Sequence, residues 1–102
     1  MAKLIIWSAR AQNDRIEIFT FYNQRNQSTV YSKKLNRVFN SIIKLKLKFP
    51  NLGRNTNREN VKVKITGNYS IFYKNLPNEI HILTIWDNRR NPVVLDKIEA
   101  EY

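Results

Sequence analysis

The sequence predicts an α+β domain of order βααβββ, with an antiparallel αα-hairpin packed on one face of a small, mostly antiparallel sheet. Three observations predict it. Residues 9–25 contain no glycine or proline and repeat apolar side chains at helical spacing. Tyr31, Leu35, Val38, Ile42, Leu45 and Phe49 then follow at intervals of four, three, four, three and four, the spacing of one helix face. From Val61 to Trp86 the pattern becomes strand-like runs separated by Gly67-Asn68 and Leu76-Pro77-Asn78. The 102 residues fit a single domain, 1–102, large enough for a core without staples.

Each element has a local reason. Lys3–Trp7 is a short apolar run followed by Ser8, a first strand handing over to a helix N-cap. In the first helix Ala11, Ile18 and Tyr22 share a face with Phe19, while Ile16 and Phe21 flank it and Arg15 interrupts it. The polar link Asn23–Ser28 offers Ser28 or Thr29 to cap the second helix, and Pro50 with Gly53 ends it. Two helices on so short a link form a hairpin, and the six-residue stripe of the second reads as core. Asn51–Asn60 reads as a polar, basic loop carrying Arg54 and Arg58.

The strands raise a register question. A two-residue loop at Gly67-Asn68 would oppose Lys64 to Ile71 and Lys62 to Tyr73. A three-residue loop through Tyr69 pairs Ile65 with Ile71 and Val63 with Tyr73, gathering Lys62, Lys64, Ser70 and Lys74 on the other face with Phe72 among them. A one-residue slip exchanges the faces, so the second register is expected if only one face is buried. Glu79–Trp86 is almost continuously apolar, as in a strand buried on both faces. The charged corner Asp87–Pro92 follows. The tail Val93–Tyr102 reads as a short helix or strand, or as partly disordered, and carries Asp96, Glu99 and Glu101.

Charge is the strongest global signal: 18 Lys and Arg against 8 Asp and Glu, formally +10, with a pI near 10.2. Between Glu17 and Glu59 there is no acidic residue, while Lys33, Lys34, Arg37, Lys44, Lys46 and Lys48 fall in that window. Such a field draws polyanions or acidic proteins, unless the lysines merely solvate a face. No cysteine is present, so disulfides and thiolate chemistry are excluded. No apolar run approaches the ~20 residues of a membrane span, and the N-terminus lacks a signal-peptide pattern. A cytoplasmic location without membrane association is expected.

Motifs exclude more than they select. One histidine, no cysteine and scattered acids give no basis for a metal site, and no cofactor is indicated. His81 stands inside an apolar strand, where a packed residue is the simpler reading than a catalytic one. With only Gly53 and Gly67 there is no phosphate-cradling loop. What remains is a basic surface for a nucleic acid or target: Arg58, Lys62, Lys64 and Lys74, with Phe72 among them and Arg89 and Arg90 at a strand end. Lysines hold phosphate as point charges, arginines grip it bidentately, and an exposed aromatic stacks a base. The same groups could stabilise the charge that develops when RNA is cleaved, which makes Lys62, Lys64, Arg89 and Arg90 the candidate catalytic residues.

Four stretches in order, IIWSARAQND, KFPNLG, VKVKITGNYSIFYK and EIHILTIWDNRRNP, resemble the RelE/ParE superfamily of toxins from bacterial type II toxin–antitoxin pairs over about residues 3–92. The resemblance implies the βααβββ fold and a cognate acidic antitoxin wrapped on a basic toxin, itself a monomer or homodimer in isolation. RelE-like members cut messenger RNA on the ribosome; ParE-like members poison DNA gyrase. Lys62 and Lys64 match the RelE-like basic strand, and Arg89 or Arg90 the C-terminal arginine. Ser70 stands where an arginine is usual, and no Tyr or His closely follows Arg90. These departures argue against an endoribonuclease, and the Arg-Arg-Asn-Pro ending looks ParE-like. A catalytically decayed toxin and a non-toxic basic nucleic-acid-binding module are the alternatives.

Overall fold

The computed structural model describes residues 4–48, 54–56 and 61–90, the side chains of 45–48 and 55 excepted. Its elements are β1 (Leu4–Trp7), α1 (Ala9–Asn26), α2 (Val30–Lys48), β2 (Arg54–Asn55), β3 (Val61–Thr66), β4 (Tyr69–Asn75) and β5 (Glu79–Asp87). They form the expected two helices against one mixed sheet. The sheet order is β1-β5-β4-β3-β2, antiparallel except where β1 runs parallel to β5. The two-residue β2, pairing with Lys62 and Val63, lies in a stretch whose polar sequence reads as loop.

Ser8 organises the first junction. Its Oγ accepts the Ala11 N–H at 3.0 Å, capping α1, and donates to the Leu83 carbonyl at 2.7 Å. One hydroxyl thus ends a strand, starts a helix and ties both to β5. Between Phe72 and Tyr73 the β4–β5 ladder slips, leaving Leu83 as the extra residue of a bulge. The bulge lies where β1 gives way to α1.

At the other end of α1, Gln27 adopts a left-handed conformation (φ 51°) and the Ser28 N–H returns to the Asn23 carbonyl at 3.2 Å, a Schellman-type closure. Ser28 Oγ then accepts from the Val30 N–H. Ser32, buried on α2, donates to the Phe19 carbonyl at 3.0 Å and so fastens the hairpin.

The main core lies between helices and sheet: Ala11, Tyr22, Phe39 and Ile43 against Tyr69, Ile71, Tyr73, Ile80, Ile82 and Ile85. Burying one such large side chain contributes about 1.5–3 kcal/mol. The inward face of α2 is rotated from the expected stripe. Among its described apolar residues Phe39 and Ile43 are buried, Leu35 and Ile42 pack beside them, and Tyr31 stays exposed. Phe39 takes the centre because it stacks near Phe19 and meets Tyr69 edge-on at 5.7 Å.

A second apolar cluster, Val61, Phe72, Leu83 and Trp86 with Val63, occupies the other face of the sheet. It decides the hairpin register. Lys62 pairs with Tyr73, Lys64 with Ile71 and Thr66 with Tyr69, so the loop has two residues, not the three expected. Of the two loop residues Gly67 carries positive φ, 56°, at the first turn position, where a two-residue hairpin favours glycine. The expectation failed because it assumed one buried face. Both are buried, and the β3 valines belong to the second cluster.

Candidate functional site

The corrected register redistributes the expected basic surface. Lys62 and Lys64 stay together, on the helix side of β3 beside Tyr73 and Ile71. Ser70 and Lys74 lie across the sheet, opposite Ile65 and Val61. Ser70 is buried, its hydroxyl donating to Asn88 Oδ1 at 2.6 Å. Phe72 is 6% exposed within the second cluster, so it offers no stacking surface among the lysines. Arg58, and the tail from Val93 on, lie outside the described residues. His81 contacts Glu79 at 2.8 Å on the face away from the helices.

The adjacent arginines also part. Arg89 binds Asp87 bidentately, Nε to Oδ1 at 2.9 Å and Nη2 to Oδ2 at 2.7 Å, with its backbone N–H on the same carboxylate. Its Nη2 also reaches the Tyr22 hydroxyl of α1 at 3.4 Å. Arg90 instead lies over the Trp86 ring, 4.5 Å from the centroid. The hydrogen bond from Arg89 is the largest cause holding the Asp87 carboxyl below its usual range, and the same bond pushes the guanidinium up.

This network floors a cleft of about 430 Å³ between α1 and the ends of β4 and β5. One stripe of α1 lines it through Asp14, Glu17, Ile18, Phe21 and Tyr22. The sheet contributes Tyr69, Ile85 and Asp87, and Arg89 and Arg90 border it. Asp14 accepts from Thr84 Oγ1 at 2.5 Å and the Ile85 N–H at 3.1 Å, pinning α1 to the strand just past the bulge. Burial raises the Asp14 pKa, and these two bonds and Arg10 only partly offset it.

Tyr22 and Tyr69 are the residues that sequence reasoning missed. The Tyr69 hydroxyl donates to the Tyr22 oxygen at 3.2 Å. That bond, then the one from Arg89, pulls the Tyr22 phenol below the ordinary tyrosine range. Burial, then the bond to Tyr22, drives Tyr69 well above it. A signal existed: a tyrosine at a core-facing helical position needs a partner for its hydroxyl, and Asp14, Ile18 and Tyr22 recur every four residues.

Among the described residues no three His, Cys, Asp or Glu side chains come together as a metal site requires, and no helix is long and apolar enough to cross a membrane. The family model for the ParE toxin of the type II toxin–antitoxin system parDE matches residues 5–92. The curated proteins give no match. A solved structure described as the chromosomal ParDE TA system from P. aeruginosa is similar in fold, with TM-score 0.68 at 19% identity, over 82% of this chain and 94% of that one.

Proposed function

Because the chain belongs to the ParE toxin family of type II toxin–antitoxin systems, we propose that it arrests growth in the cytoplasm by binding DNA gyrase without cutting RNA, and that an acidic antitoxin holds it inactive. The observation that carries the non-nucleolytic reading is the commitment of Arg89. A guanidinium held through Nε and Nη2 by Asp87 already spends its charge on a carboxylate, whereas a phosphorane needs a cation turned toward the developing charge. Ser70, at the other RelE-like arginine position, is buried across the sheet from Lys62 and Lys64. Asp14, Glu17 and Asp87 line the cleft beside Arg89 and repel a phosphate backbone.

The charge of +10 supports an acidic antitoxin. A ribonuclease reading keeps one favourable observation, the pairing of Lys62 and Lys64 on the helix side of the sheet with Tyr73 and Ile71.

The test is expression from a tight promoter, with growth recorded alone and with the product of the adjacent open reading frame. Arrest relieved by that product is expected. Normal growth with soluble protein present overturns the reading.

A further inference from the structure

The cleft is anomalous in a chain this basic. Among the described residues it is bordered by the carboxylates of Asp14, Glu17 and Asp87 and by two guanidiniums, one bound to Asp87 and the other drawn over Trp86. Glu17 stands exposed at the rim and forms no ion pair among the described residues. One turn further along α1, Phe21 is 52% exposed, its ring edge-on to Tyr22 at 5.0 Å. The place therefore offers negative charge and an apolar wall side by side.

The Tyr22 hydroxyl adds direction. Its oxygen accepts from Tyr69 and from Arg89, which fills both lone pairs. Its own proton has no acceptor among the described residues and is left for a ligand oxygen. Tyr22 is 8% exposed, so a backbone carbonyl seated there would be sheltered from water, where the bond counts for more.

We propose that this cleft seats a cationic anchor of the antitoxin: an apolar side chain against Phe21 and Ile18, a neighbouring Lys or Arg on Glu17, and a backbone carbonyl on the Tyr22 hydroxyl. The inference rests on the antitoxin reading above and deepens it. An acidic partner is drawn to the chain by its overall field, and a locally basic segment reads this one spot. Opposite local charges within a complementary interface fix register and reject wrong partners more than they add affinity.

Charge reversal at the rim gives a sign that separates the two kinds of contact. Purified antitoxin from the adjacent open reading frame is titrated onto wild type, Glu17→Lys and Glu17→Gln, with folding checked by circular dichroism. Placing like charges together in an interface is costly, so Glu17→Lys should weaken binding about tenfold or more and Glu17→Gln by less. A Lys or Arg to Glu change in the antitoxin should restore binding to Glu17→Lys. An acidic segment in the cleft predicts the reverse, since a more basic toxin would bind it more tightly. Unchanged or tighter binding by Glu17→Lys, or by Glu17→Gln if the reversal does not fold, overturns the proposal. Absence of any binding to wild type overturns the antitoxin reading itself, and the anchor with it.

Discussion

Arg89, in the turn after β5, donates to the hydroxyl of Tyr22 on α1 at 3.4 Å across 67 residues of sequence. Asp87 holds the same guanidinium from below and Tyr69 donates to the same phenol oxygen, so the end of the sheet is laced to the first helix. Arg89, a catalytic candidate by residue type, is thus bonded to both Asp87 and Tyr22.

Removing the phenol oxygen should show this. Tyr22→Phe leaves the Tyr69 hydroxyl, on a residue 4% exposed, without its acceptor, at a cost of about 1–2 kcal/mol by urea denaturation. Tyr22 is held below the ordinary tyrosine range and Tyr69 above it. In an alkaline NMR titration Tyr22 should ionise early and Tyr69 late, and the early signal should vanish in the variant. A uniform titration in wild type would contradict the network.

Asp14 makes a pH-dependent prediction. Its pKa is raised in the folded chain, chiefly by burial. Stability from this group is therefore fully present below the unfolded pKa and is lost as pH rises through the folded one. Asp14→Asn keeps an acceptor without the buried charge, so it should match or exceed wild type at pH 7, the difference shrinking as acid protonates Asp14. Asp14→Ala abandons Thr84 and the Ile85 N–H and should lose about 1–3 kcal/mol. Denaturation curves at pH 7 and pH 4 give both results.

Gln27 holds a left-handed conformation (φ 51°) at the close of α1 that side chains with a Cβ adopt at a cost and glycine adopts freely. Gln27→Gly should stabilise the chain by about 0.5–1 kcal/mol, a rise of several degrees in the melting midpoint of a domain this size. A fall in that midpoint would mean the Gln27 side chain makes a contact that matters more than the backbone.

Much of this fold was legible in the sequence. Ser8 as a cap, the gap-free first helix and the doubly buried run Ile80–Trp86 follow from local rules. The register of Lys62 and Lys64 was not legible, because alternation tells that two faces differ and not which one meets the helices. A second apolar cluster behind the sheet, built from Val61, Phe72, Leu83 and Trp86, reversed the answer. Of the residues bordering the cleft, Arg89 and Arg90 stand out in the sequence by residue type, whereas Lys62 and Lys64 lie on β3 outside its lining. The cleft itself was not legible, since Asp14, Tyr22, Tyr69 and Asp87 meet only once α1 lies on the strand ends.

The field of a chain at +10 acts on any acidic partner. Antitoxin affinity should fall steeply between about 50 and 500 mM salt, as screening shortens from over 10 Å to a few ångströms. A flat affinity would assign the complex to apolar contact instead.

The proposed function requires that this toxin inhibit gyrase and leave messenger RNA intact. Purified protein should inhibit ATP-dependent supercoiling by gyrase in a dose-dependent way, and primer extension on messenger from translating ribosomes should show no new cleavage. Cleavage by wild type that disappears in the Lys62→Ala, Lys64→Ala double variant, with supercoiling unaffected, would contradict it.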